Sequence, residues 1–139
     1  MKEQAIICDI DGVLVEYVEY PSNDDFYKNI KEYVIIPVMV DLVDLLSYQY
    51  KILFVTARQE EYREFTYNQL APIFCYDDSK FDLYMRKQKD LRSTDDIKQD
   101  LLKELLQKYD IKLAIDDDPF NIMMYKRNGI PTMEFNQNQ

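Results

Sequence analysis

Short unbroken apolar runs alternate along this chain with stretches whose apolar residues recur every three or four positions. Residues 5–8 (AIIC), 51–55 (KILFV) and 111–115 (IKLAI) are runs of the first kind, as expected of strands buried on both faces. After Pro37, which suits a first helical position, Val38, Leu42, Leu45 and Leu46 repeat at helical spacing to about Tyr48. Residues 59–70 also suit a helix, with acids in its first turn. A longer helix spans about 95–109, with Ser93 or Thr94 as its cap and Ile97, Leu101, Leu102, Leu105 and Tyr109 as its buried stripe. Pro119 opens a last helix, with Asp118 as its N-cap, and Gly129 closes it. Residues 131–135 complete the sheet.

Three stretches are less decided. Residues 13–20 (VLVEYVEY) alternate like a hairpin or flap, and 26–34 are ambiguous. Both 73–76 (IFCY) and 82–85 (DLYM) can be strands. Residues 86–92 form a basic loop. Strands alternating with helices predict an α/β fold: a mostly parallel, Rossmann-like sheet with helices on both faces. Nothing divides residues 1–139, so one domain is expected.

Composition removes several chemistries. The chain has no His, which excludes a His base, nucleophile or zinc ligand. Its two cysteines, Cys8 and Cys75, build neither a disulfide framework nor a zinc knuckle. Neither has an Arg six places on, so the cysteine-phosphatase loop is absent; Cys8 reads as an inert core thiol. With only Gly12 and Gly129, a Walker loop or GxGxxG loop cannot be written. The net charge of −9 argues against a long groove tracking nucleic-acid phosphates, though not against gripping one terminal phosphate. No run suits a signal-peptide core or a membrane span, so a cytoplasmic protein with free thiols is expected. Of the 12 Tyr and 7 Phe, Tyr48, Tyr50, Tyr109 and Phe54 fall at core or boundary positions, while Tyr17 and Tyr20 fall in the flap, where they could stack on a base.

Polar residues cluster just after the strand candidates. Asp9 and Asp11 follow the first, Thr56 and Arg58 the second, and Asp116 and Asp117 a late one, while Lys98 stands near a helix start. Ligands of such sheets bind beyond the carboxyl ends of the strands, so these residues can meet. Any one of them alone can be a helix cap or a solvated charge. Together, four carboxylates repel one another unless a cation sits among them, and an all-oxygen set suits Mg²⁺. A carboxylate beside Mg²⁺ can attack phosphorus, and a second can move the leaving group's proton.

The ordered set DIDGVL (9–14), FVTAR (54–58), Lys98 and AIDDD (114–118) resembles the haloacid dehalogenase (HAD) superfamily of aspartate-nucleophile phosphatases. The resemblance implies Asp9 as nucleophile, forming an aspartyl-phosphate, and Asp11 as general acid and base. It implies Thr56 and nearby backbone N–H groups as holders of the phosphate, and Lys98 as the charge that offsets it. Asp9, the Asp11 carbonyl and Asp116 or Asp117 would hold Mg²⁺. Residues 82–98 (DLYMRKQKDLRSTDDIK) resemble more narrowly the 3′-phosphatase domain of polynucleotide kinase. That likeness implies that Arg58 and Arg86, and less directly Arg92, bind substrate or order the site. Two positions depart from it: Thr94 stands where Asp is usual four places before Lys98, and the flap carries Glu16, Tyr17, Glu19 and Tyr20 in place of an Arg. No kinase half can be written, so a stand-alone phosphatase is expected.

Only 41 residues separate Thr56 from Lys98 and 22 separate Leu14 from Pro37, which leaves room for a minimal cap. An open site admits a polymer end. The expected substrate is a phosphomonoester, a nucleic-acid 3′ end first. A 5′(3′)-nucleotidase acting on free nucleotides and a catalytically silent binding module remain as alternatives.

Overall fold

The computed structural model describes residues 1–17, 23–29 and 34–136. Five parallel strands form one sheet: β1 (Glu3–Cys8), β2 (Lys51–Gln59), β3 (Phe81–Arg86), β4 (Tyr109–Asp116) and β5 (Thr132–Glu134). Their order is β3-β2-β1-β4-β5. The helices are α1 (Asn23–Asn29), α2 (Pro37–Leu46), α3 (Arg63–Leu70), α4 (Thr94–Lys108) and α5 (Pro119–Arg127). This is the expected HAD-like, Rossmann-type α/β layout. Chain order reverses direction at β1, between β2 and β4, and a crevice opens there at the strands' carboxyl ends.

The two-residue period of the strands sorts the core into two layers. Ile6 and Cys8 of β1, with Ile52 and Phe54 of β2, pack under Met39, Val43, Leu70 and Phe74. Ala5 and Ile7, with Leu53 and Val55, face Leu102 and Leu105 of α4 and Met124 and Tyr125 of α5. That double burial is why these strands read as unbroken apolar runs.

Several expectations are corrected. Residues 73–76 make no strand: Ala71–Phe74 is a 3-10 turn, and Cys75 and Tyr76 both have positive φ (53° and 63°). Pro72 lacks a donor and two successive left-handed residues cannot extend a ladder, so β3 alone enters the sheet. Helix α2 buries Met39 and Val43 and leaves Val38 and Leu45 exposed, so its inner face is turned by about one residue from the predicted stripe. It also ends at Leu46, short of Tyr48. Tyr48 is exposed, with the Lys80 ammonium 4.0 Å from its ring centre. Helix α3 begins only at Arg63, after a 3-10 turn at Glu60–Tyr62, because β2 runs on through Gln59. Thr56 and Arg58 therefore lie inside β2, not after it. Ser93 precedes α4 with no side-chain capping bond, whereas the Asp118 side chain accepts from the Phe120 N–H at 2.8 Å, as expected of a cap.

Within the flap, residues 18–22 and 30–33 fall outside the described set, and with them Glu19 and Tyr20. Helix α1 takes the start of the ambiguous stretch and also residues 23–25, where PSNDD (21–25) suits a turn by composition. Val15 bridges antiparallel to Ile35, which brings the flap's two ends together. Among the described residues no helix is long and apolar enough to cross a membrane.

Candidate active site

Asp9 is the first residue beyond β1, and its backbone N–H donates to the Ile115 carbonyl of β4 at 2.9 Å. This fixes Asp9 beside the end of β4, where Asp116 and Asp117 stand. One carboxylate oxygen from each of Asp9, Asp116 and Asp117 lies within 4.8 Å of the others. Lys98 reaches them from α4, fully buried, with its Nζ 3.1 Å from Asp9 Oδ1 and 2.6 Å from Asp116 Oδ2.

The charges shape one another. Burial pushes the Asp9 carboxyl well above the usual range, Asp116 adds to this and Lys98 opposes it. Burial also works on Asp116, but Lys98, the Asp118 N–H and Asn121 outweigh it and hold Asp116 below its usual value. Lys98 is pushed up despite burial, because two carboxylates face it. Asp117 is pushed up to about 6, by burial first and by the Asp116 charge as well. Three carboxylates and one ammonium thus leave a negative excess, which one hard cation would relieve.

The donor set fits such a cation: all oxygen, no His, no Cys. Asn121 adds a second sign. Its Nδ2 donates to both Asp116 oxygens (3.2 and 3.3 Å), while its buried Oδ1 has no hydrogen-bond partner. Asn121 lines the cavity, and that buried carbonyl is left as an unused acceptor beside the acidic cluster. Sequence reading missed Asn121; a polar residue on the buried side of α5 was the available signal.

Gly12 shows how tightly the loop after β1 is drawn. Its φ is +87°, and a Cβ there would overlap the Asp117 carboxylate. Only glycine meets both conditions, so the Gly of the DIDG motif lets the loop pass over the acidic cluster.

Asp11 and Arg58 form a fork-to-fork pair: Arg58 Nε donates to Asp11 Oδ2 at 2.9 Å and Nη2 to Oδ1 at 2.8 Å. Arg58 is itself buried and donates from Nη1 to Thr66 Oγ1 (3.2 Å) and Gln69 Oε1 (2.7 Å) of α3. The guanidinium therefore sets the place of Asp11. Thr66 and Gln69 were not foreseen. Thr56 is buried, and its Oγ1 accepts from the Arg58 N–H at 3.1 Å, which leaves its O–H to donate into the cavity. Arg86 spends its Nε and Nη1 donors on backbone carbonyls: Ala57 (3.0 Å), Asp90 (2.8 Å) and Arg92 (2.7 Å). It ties β2 to the 87–92 loop. Arg92 is engaged with Asp90 and Asp100.

Asp9, Asp11, Thr56, Arg58, Lys98 and Asp117 line one cavity of about 430 Å³, walled further by Tyr17, Phe26, Tyr27 and Leu91, while Asp116 lies behind them.

A family model described as the polynucleotide kinase PNKP phosphatase domain matches residues 3–139. This chain belongs to that family. Its HAD-type phosphatase fold recurs in solved structures. Two structures of a Pnkp1/Rnl/Hen1 complex, one described as an RNA repair complex, superpose with TM-scores of 0.80 and 0.81 at 26% identity. Each match covers 97% of this chain but only 46% and 43% of the other, so this phosphatase domain corresponds to less than half of those longer chains. A haloacid dehalogenase-like hydrolase from Streptococcus pneumoniae shares the fold at TM-score 0.61 and 16% identity, over 94% of this chain and 83% of its own. A HAD family enzyme from Bacteroides thetaiotaomicron, solved with magnesium and inorganic phosphate, does so at 0.64 and 14%, over 100% and 96%. No curated protein matches the chain by sequence.

One pH dependence follows from the acidic cluster. An unfolded aspartate titrates near ~3.9, while Asp117 in the fold titrates at about 6. Between these values the metal-free fold keeps a proton that the unfolded chain has lost. Raising the pH through that window therefore weakens folding: the contribution is whole below about 4 and gone above about 6. Asp117→Asn should remove it. In EDTA the variant's thermal midpoint should equal the parent's near pH 4 and exceed it by a few degrees at pH 7.5. The rise from ~3.9 to about 6 is worth at most ~3 kcal/mol, and solvent screening of a part-exposed carboxyl reduces this to ~1 kcal/mol. A constant difference across that range would show that Asp117 is not held protonated.

Proposed function

We propose that this chain is a Mg²⁺-dependent phosphatase that removes 3′-phosphates from nucleic-acid ends through an aspartyl-phosphate on Asp9. The observation that carries the proposal is the position of Asp9 on the cavity floor, beside Lys98 and facing two further carboxylates. Membership of the PNKP phosphatase family supports the 3′ end as substrate.

An Asp9 carboxylate oxygen forms a bond to phosphorus as the bond from phosphorus to the 3′ oxygen breaks. Asp11, turned away from Arg58, gives its proton to that departing oxygen. Water then attacks phosphorus, Asp11 takes the water's proton, and Asp9 is released with inorganic phosphate. Lys98 offsets the charge between nucleophile and phosphate, and the Thr56 O–H donates to a phosphate oxygen. Asp9, Asp116 or Asp117 and the Asp11 carbonyl would hold Mg²⁺, which supplies further charge neutralisation when bound. Arg58 acts by positioning Asp11, and Arg86 by shaping the loop that walls the cavity.

The test is phosphate release from a 3′-phosphorylated oligonucleotide, a 5′-phosphorylated one, 3′- and 5′-mononucleotides and an aryl phosphate. The 3′-phosphorylated oligonucleotide should be best. EDTA should abolish activity and Mg²⁺ restore it, whereas full activity in excess EDTA would overturn the mechanism. With a net charge of −9 the chain should bind through few contacts near the terminal phosphate, so added salt should weaken binding only gently. Far faster hydrolysis of 5′-mononucleotides would replace this function with that of a nucleotidase.

A further inference from the structure

The wall of the cavity opposite in character to its charged floor is aromatic, and phosphoryl chemistry has no use for it. Tyr27 of α1 is fixed from two sides. Its hydroxyl accepts from the Gln59 N–H at the end of β2, at 2.7 Å. Its ring stacks on Tyr62 with centres 3.7 Å apart and planes 8° from parallel. Phe26 stands edge-on to Tyr27 at 5.0 Å and 84°, and Tyr17 approaches Phe26 at 6.4 Å and 42°. These rings therefore form a chain anchored to the sheet, not side chains adrift on a flap. Tyr17, Phe26 and Tyr27 line the same cavity as Asp9 and Lys98, together with Leu91. Tyr17 is 45% exposed and Leu91 83%, so apolar surface is left uncovered beside a polar centre. A cavity of about 430 Å³ also falls within the range that holds whole small ligands, beyond what a phosphate group needs.

We propose that Phe26 and Tyr17 form a subsite for the nucleobase of the nucleotide that carries the phosphate, with Leu91 as apolar lining and Tyr27 as the positioning residue. This rests on the 3′-phosphatase function proposed above and names the part of the substrate that the aromatic wall receives. Flat π faces stack on any base, so the subsite distinguishes a base from no base and is tolerant of sequence. Tyr27 acts through Phe26: its bond to Gln59 ties the ring chain to the strand that also carries Thr56 and Arg58.

The experiment compares two oligonucleotides with the same 3′-phosphate, one ending in a normal nucleotide and one in an abasic sugar. The parent protein should favour the base-bearing end by about tenfold in kcat/KM, mostly through KM, as loss of one stacked base implies. Phe26→Ala should bring that ratio close to one, and Phe26→Tyr should keep it. Tyr27→Phe, which keeps the ring and loses the bond to Gln59, should lower the ratio in part; a merely structural role would slow both substrates alike and leave the ratio unmoved. A parent ratio near one overturns the subsite even if Phe26→Ala fails to fold. A high ratio that survives both Phe26→Ala and Tyr17→Ala overturns its assignment to these rings. If the parent hydrolyses an aryl phosphate but neither oligonucleotide, the substrate assignment itself falls, and the subsite with it.

Discussion

Asp9→Asn should abolish phosphate release while leaving the metal-free protein at least as stable as the parent. On the proposed mechanism Asp9 makes the covalent bond to phosphorus, and an amide cannot replace it, so the loss should be several orders of magnitude. Stability should move the other way. Asp9 is 7% exposed and shares its surroundings with Asp116 and Asp117, and its carboxyl is pushed up by burial. Asn keeps the size and an oxygen for Lys98, and removes one charge from a crowded cluster. Acid quenching during turnover of a labelled substrate should trap phosphate on the parent and none on the variant. Phosphate release within tenfold of the parent would remove Asp9 from the role of nucleophile.

Lys98→Met should be the most damaging substitution to the fold itself. Lys98 is 1% exposed and holds Asp9 and Asp116 at 3.1 and 2.6 Å. Methionine fills much of the same space but leaves those carboxylates without their cation. Removing one partner from a buried ion pair costs about 3–5 kcal/mol, here a fall in thermal midpoint on the order of 10 °C or more. Because the cluster then carries more uncompensated charge, Mg²⁺ should raise the midpoint of the variant more than that of the parent. Adding Asp116→Asn should restore part of the loss, since it removes the charge that Lys98 had matched. Turnover should fall by about 10²–10³-fold as well, the scale of losing one electrostatic contact to the reacting group. A variant as stable as the parent, with no greater response to Mg²⁺, would show that Lys98 does not offset the cluster.

The two substitutions also separate parts of the molecule that were legible in the sequence to different degrees. Asp9 stands out because an apolar run cannot carry a charge inward: β1 is buried from Ala5 through Cys8, and the next carboxylate must lie where the strand leaves the sheet. Asp116 and Asp117 stand out at the end of β4 for the same reason. Lys98 is different. One lysine among several in an amphipathic helix looks solvated, and only the order of motifs around it singles it out; its burial comes from the docking of α4.

The class of fold and the edge of the sheet where chemistry collects are legible in the residue pattern alone. Both follow from local rules: runs such as Ile6–Ile7 and Leu53–Val55 are apolar on both faces because each face has a helical layer over it, and right-handed crossovers then leave little choice of topology. The Asp118–Pro119 helix start was local too, since a cap is made within a few residues. Which groups meet is settled only by the packed fold. Arg58 and Asp11 are 47 positions apart, Tyr27 and Gln59 are 32 apart, and Lys98 and Asp116 are 18 apart. It also decided that α2 turns Met39 and Val43 inward and that Ala71–Phe74 coils instead of pairing. Those outcomes depend on strand register and on how each helix docks. Both are set by packing over the whole core, and a residue's near neighbours carry too little of that information to fix a partner.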